Sequence, residues 1–129
     1  MYKLNHIHLK SNNPEEAVKW WIDNFGFEIV DDTTRHTGDR FIKCRSANGF
    51  PVNISGPLDG QILPESDSGV NLGLEHFGFD VDDIDSEIER LKAAGAPLVD
   101  GPSKLPDGTR FCWVSTPDNV RVELIQWPD

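Results

Sequence analysis

The chain has 129 residues, with 12 Lys plus Arg against 22 Asp plus Glu and a formal net charge of −10. That balance speaks against nucleic acid, whose binding is driven by Lys and Arg displacing counterions from phosphates, and against a polybasic membrane contact. Hydrophobic residues make up 37% of the chain, enough to build a core, and no apolar run approaches the ~20 residues of a membrane span.

The opening residues, Met1 to His6, lack a signal-peptide core, so the cytoplasm is the expected location. Leu4 to Lys10 alternates, with Ile7 and Leu9 on one side and His6 and His8 on the other, as in a half-buried strand. Asn13 is placed to cap a helix that has Pro14 at its first position and Glu16 to close a capping box. Ala17, Trp20, Trp21 and Phe25 recur at helical spacing, and Gly26 stops the run. Strands are expected at Phe27 to Asp31, Arg40 to Arg45 and Pro51 to Ser55, with turns at Gly38-Asp39 and Asn48-Gly49. From Gly56 to Gly73 the periodicity dissolves, and this stretch reads as a linker or a functional loop.

The pattern then restarts. Leu74 to Val81 alternates, with Phe77, Phe79 and Val81 on one side and His76, Gly78 and Asp80 on the other. Asp82-Asp83 offers a cap to a helix striped by Ile84, Ile88 and Leu91, which Gly95 and Pro97 end. Strands are expected at Pro97 to Val99, Arg110 to Ser115 and Arg121 to Gln126, with a loop from Gly101-Pro102 through Gly108. Cys44 and Cys112 sit in no Cys-x-x-Cys and read as small buried apolar residues.

The order strand, helix, strand, strand, strand thus occurs twice, with His76 standing 70 residues after His6 and Gly95 standing 69 after Gly26. An internal duplication sets the fold expectation: one α+β domain over 1–129, with a first module at 1–56, a linker loop at 57–73 and a second module at 74–129. One helix covers only one face of its sheet, and that face is the apolar one. His6, His8, His76 and Glu123 fall on the opposite face, with Asn53 and Ser55 on the matching face of the first module. If the sheets curl, these residues converge on a hollow. Two neutral imidazoles and one carboxylate there would hold a divalent ion with positions left for water or substrate. A polar strand face is ordinarily just solvated; the repetition of His6 and His76 at equivalent places raises the metal reading above that.

Leu4-Asn5-His6-Ile7 before a capped helix ending in Phe25-Gly26-Phe27 resembles the opening of the vicinal oxygen chelate superfamily, the glyoxalase, bleomycin resistance and extradiol dioxygenase group. Glu75-His76-Phe77-Gly78-Phe79-Asp80-Val81-Asp82-Asp83-Ile84 resembles the start of its second module, and Thr116 to Ile125 its closing turn and strand. The resemblance implies paired βαβββ modules with cupped mixed β-sheets and helices on the outer face. It places metal-ligand roles on His6, His76 and Glu123 and implies one divalent ion (Fe, Mn, Ni, Zn or Co), a small-molecule substrate and a homodimer. Glyoxalase I, which the chain resembles, has a fourth ligand, a Glu, where this chain has Asn53, so a three-ligand site is expected.

His8, two residues beyond His6, points the same way and is the expected general acid or base, with Glu123 as a second proton carrier. Asn53 and Ser55 are placed to orient a substrate oxygen. Phe41 and Trp113 lie on matching strands as an apolar wall of the substrate site, with core packing as their other reading. Lys43, Arg45 and Arg121 are the cations available to an anionic substrate. The expected activity is isomerase or lyase chemistry on a small hydroxy- or keto-compound. The alternatives are an iron-dependent ring-cleaving dioxygenase and a non-catalytic binder of small molecules of the antibiotic type.

Overall fold

A computed structural model describes residues 1–129. The elements run β1 (Ile7–Lys10), α1 (Pro14–Phe25), β2 (Glu28–Thr34), β3 (Arg40–Arg45), β4 (Pro51–Ser55), β5 (Phe77–Asp80), α2 (Ile84–Ala93), β6 (Leu98–Lys104), β7 (Arg110–Thr116) and β8 (Val120–Gln126). The chain divides into two units, Met1–Pro64 and Glu65–Asp129. The first holds a four-stranded sheet in the order β1-β4-β3-β2, the second one in the order β5-β8-β7-β6. In each, the first strand lies parallel to the last and the remaining pairs are antiparallel, so the duplicated βαβββ order is realised as two mixed sheets.

Alternation along the two central strands of each sheet explains the core. Ile42, Cys44, Val52 and Ile54 in the first unit, and Cys112, Val114, Val122 and Leu124 in the second, are at most 2% exposed. Each of the second set stands 70 residues after its counterpart. Helix α1 lays Val18 and Trp21 over β3 and β4, and α2 lays Ile88 and Leu91 over β7 and β8. Burial of each large side chain of this kind contributes ~1.5–3 kcal/mol. Burial pushes both cysteine thiols up to about 11, which leaves them inert packing groups without a disulfide. No helix is long and apolar enough to cross a membrane.

The helix ends differ in an instructive way. Gly26 ends α1 in the left-handed conformation (φ 68°), as its sequence position requires. Asn13 occupies the N-cap of α1, but its side chain makes no capping bond; its own N–H donates instead to Ser11 Oγ at 3.0 Å. Pro14, at the first helical position, has no N–H to be satisfied. In the second unit the residue 70 positions on is Ile84, which does have an N–H, and the Gln126 carboxamide oxygen accepts from it at 2.8 Å. The first unit has Gly56 at the place of Gln126, and a Cβ there would lie 3.4 Å from Pro14 Cγ. Asp83 caps α2 as expected, accepting from Ser86 N.

Several strand limits move. The opening strands begin at Ile7 and Phe77, so His6 and His76 stand in the irregular stretches just before β1 and β5. The strand expected at Phe27 to Asp31 runs from Glu28 to Thr34. The expected loop from Gly101-Pro102 through Gly108 is corrected most: β6 runs through it to Lys104, crossing two register shifts against β7. Those irregularities accommodate a Gly-Pro pair that a regular strand would exclude. The stretch from Gly56 to Gly73 is anchored in two pieces. Asp59 N–H donates to Thr37 O in the first unit, whereas Ser66 and Ser68 are bonded to Asp118, Asn119 and Arg121 in the second.

Candidate metal and substrate site

In the second unit, β5 and β8 pair in parallel with Gly78 opposite Glu123. His76, two residues before Gly78, reaches Glu123: its Nε2 lies 3.3 Å from Glu123 Oε2, with the side chains 27% and 15% exposed. Its other nitrogen, Nδ1, lies 3.3 Å from Glu75 Oε1. Trp113 on β7 pairs directly with Glu123 and meets the His76 ring edge-on, with centroids 5.8 Å apart. Arg121, on the same face of β8, stacks its guanidinium 5.0 Å from the Trp113 ring centre. Its side chain is 6% exposed; Nη1 donates to Ser68 O at 2.9 Å and Nε stands 3.7 Å from Glu75 Oε1.

An imidazole with a carboxylate on each nitrogen is an unusual electrostatic arrangement. A neutral ring has one N–H and one lone pair, so one of its two carboxylate neighbours then faces a lone pair. Such a contact is unfavourable as it stands and is relieved when a metal cation lies in it. The spacing suits the cation: with bonds of about 2.1 Å, two donors on one ion are about 3.0 Å apart at a right angle and about 3.4 Å apart in tetrahedral geometry. His76 and Glu123, at 3.3 Å, fit two neighbouring coordination positions. No group of three or more His, Cys, Asp or Glu side chains is gathered to hold an ion.

The first unit presents a different set on its matching face. His6 precedes β1, its Nδ1 2.5 Å from Asn5 Oδ1. His8 lies opposite Asn53 and bonds through Nε2 to Ser55 Oγ at 2.7 Å. The Phe41 ring meets His8 edge-on at 5.2 Å, and the Arg35 guanidinium covers Phe41 at 4.5 Å. Burial, with the positive charges of Lys10, His6 and Arg35, lowers the His8 pKa from its ordinary value and favours the neutral ring. Lys43, across from Asn53, is exposed, and Arg45 lies at the β2 edge 3.5 Å from Glu28.

Phe41 and Trp113 therefore lie on the polar faces with the histidines, half-buried and apart from the core beneath the helices. They are not counterparts, however. By strand register the counterpart of Trp113 is Lys43, and that of Phe41 is Phe111. Glu75 was missed as a site residue because strict alternation assigns it to the helix side; it stands in the irregular stretch before β5, where alternation no longer governs direction.

Residues 3–124 match the family described as the Glyoxalase/Bleomycin resistance protein/Dioxygenase superfamily. The chain belongs to this superfamily. It is 24% identical over 127 residues to the uncharacterized protein YwkD of Bacillus subtilis, covering 95% of each chain. It is 30% identical over 102 residues to the 4-hydroxyphenylpyruvate dioxygenase of Caenorhabditis elegans, covering 74% of this chain and about a quarter (25%) of that enzyme. Among solved structures it resembles the fosfomycin resistance protein FosX of Listeria monocytogenes in complex with Mn(II) and 1S,2S-dihydroxypropylphosphonic acid, with a TM-score of 0.71 and 19% identity, covering 96% of this chain and 89% of that one. Its relatives thus include a protein named as a dioxygenase and one named for fosfomycin resistance.

Proposed function

We propose that the chain is a divalent-metal-dependent enzyme of the glyoxalase type, taking a small hydroxy- or keto-compound through two adjacent oxygens and catalysing isomerase or lyase chemistry. The observation that carries this reading is the approach of His76 Nε2 to Glu123 Oε2 at 3.3 Å. His76 and Glu123 would hold the ion, and His6 would complete the set, from the same chain or from a second copy in a homodimer. A bound ion (Fe, Mn, Ni, Zn or Co) supplies Lewis-acid polarisation of a substrate oxygen, which stabilises an enolate or oxyanion. FosX, crystallised with Mn(II) and a compound bearing two neighbouring hydroxyls, lends the reading support by likeness of fold.

His8 is the base in this reading, since its lowered pKa keeps the ring neutral and Nδ1, the nitrogen not engaged by Ser55, is the one placed to accept a proton from substrate carbon or oxygen at neutral pH. Ser55 is fully buried and bonded to His8, so it fixes the ring instead of touching substrate. Asn53 offers its carboxamide to a substrate oxygen, and Phe41 and Trp113 each supply an apolar wall beside the histidine they meet. Arg121 is already held by Ser68 and stacked on Trp113, so Lys43 is the cation left for an anionic substituent.

Metal analysis of the purified protein tests the reading. One ion per chain is expected, lost in His76→Ala and in Glu123→Ala. A wild-type protein that binds no divalent ion overturns it in favour of a metal-free binder. The likeness to 4-hydroxyphenylpyruvate dioxygenase favours an iron-dependent dioxygenase as the second reading, for which oxygen uptake with catechols by the iron-loaded protein is the test.

A further inference from the structure

We infer that Glu75 and Arg121 are positioning residues that lock His76 in the tautomer carrying its proton on Nδ1, leaving the Nε2 lone pair directed at Glu123. The inference rests on the proposed metal reading for its purpose, though not for its geometry.

Three observations carry it. Glu75 Oε1 lies 3.3 Å from His76 Nδ1, within hydrogen-bond reach of an N–H on that side. The same oxygen is 3.7 Å from Arg121 Nε, so one carboxylate oxygen is shared between the imidazole and a guanidinium. Arg121 is buried, and its Nε has no hydrogen-bond partner. A buried guanidinium without a counter-charge is costly, and Glu75 is the carboxylate standing against it. The arginine is fixed in turn, by its bond to Ser68 O and by the face of Trp113. A chain of contacts therefore runs from the anchored guanidinium through Glu75 to the ring, and it selects which nitrogen keeps the proton.

Arg121 changes role on this reading. Its sequence position on the polar face suggested a receptor for substrate anions, but its burial and its engagement with Ser68, Trp113 and Glu75 make it the support of a carboxylate that orients His76. Glu75 acts through His76 and touches no substrate. Partners of this kind typically account for 10–100-fold in metal affinity.

The test is nitrogen NMR of the full-length, metal-free protein with labelled histidine. Wild type is expected to show His76 with a protonated, pyrrole-like Nδ1 and an unprotonated, pyridine-like Nε2. Glu75→Ala should lose that preference, and Glu75→Gln, which keeps an acceptor oxygen, should restore it. Arg121→Met should weaken it while thermal melting confirms the fold; because Glu75 is exposed, the Glu75 variants carry the test if Arg121→Met does not fold. An Nε2-protonated His76 in wild type, or a His76 tautomer indifferent to Glu75→Ala, overturns the inference. Mn(II) titration is the separate arm: about 10–100-fold weaker binding is expected for Glu75→Ala. A protein with no affinity for any divalent ion but a Glu75-dependent tautomer would remove the metal centre and leave the positioning intact.

Discussion

Asn53 on β4 holds in the first unit the place that Glu123 on β8 holds in the second. Asn53 faces His8 on one neighbouring strand and Lys43 on the other, whereas Glu123 faces Gly78 and Trp113. The duplicated frame thus sets one carboxylate against a glycine, with room to turn toward His76, and sets one carboxamide against a histidine.

Gly78 supplies that room. A Cβ at this position would lie 3.5 Å from Glu123 Cβ and from its carbonyl oxygen, ordinary contact distances, and no positive φ demands glycine there. Gly78→Ala is expected to fold and to bind Mn(II) like wild type. Gly78→Leu is expected to crowd the carboxylate and weaken Mn(II) on the order of tenfold, with little change in melting temperature. Calorimetric titration of the two variants side by side reads the difference.

His8 is bonded to Ser55, and its lowered pKa suits a base that is neutral at pH 7. His8→Ala is expected to reduce turnover by about 10²–10⁴-fold and to leave the bound ion in place. Substrate turnover and metal content measured on the same preparation check this; loss of the ion would move His8 from proton transfer into the coordination shell.

Asp39 closes the turn between β2 and β3. Its carboxylate accepts from Arg35 Nε at 2.8 Å, from Arg35 Nη2 at 2.5 Å and from the Thr37 hydroxyl, and these bonds, with Arg35 foremost, hold its pKa down at about 2. A carboxylate whose folded pKa lies below its unfolded value of about 3.9 contributes stability that is present above that value. The contribution fades as pH falls toward 2. Asp39→Asn should therefore melt below wild type at pH 7, and the gap should close between about pH 4 and pH 2. A gap that persists at pH 2 would show that lost packing, not lost charge, governs the variant.

Ile54 is 1% exposed beneath α1. Ile54→Ala is expected to destabilise the fold by about 2–5 kcal/mol, the transfer cost of the removed methyl groups plus that of the void left behind. Urea unfolding with an unchanged slope is the measurement.

Much of this arrangement was legible in the residues themselves. Alternation at Arg40 to Arg45 and Pro51 to Ser55 placed β3 and β4, Gly26 and Gly95 stopped the helices, and the offset of 70 residues exposed the duplication. Alternation put His76 and Glu123 on the polar face, and the family resemblance joined them as ligands; that their strands are parallel neighbours is seen only in the fold. Other features required coordinates. The strand through Gly101-Pro102 was hidden because those residues are ordinarily breakers, and it survives by shifting register. Asn13 has the residue type and the position of a cap, yet its side chain makes no capping bond. Burial of Arg121 beneath Ser68 joins parts of the chain 53 residues apart, and no local pattern reports a contact of that kind.

The two halves also differ in where they have been free to change. Beneath the helices, Val52 and Val122 are identical, and Ile54 is answered by Leu124, Ile42 by Cys112 and Cys44 by Val114. On the opposite face His8 is answered by glycine, Lys43 by tryptophan and Asn53 by glutamate. Packing thus acts on one side of each ancestral copy as a ratchet that admits only apolar exchanges, the loss of bulk from Ile42 to Cys112 being partly offset by the gain from Cys44 to Val114. The other side is open to invention, and any new specificity engineered into this scaffold has its least costly entry points at those three pairs.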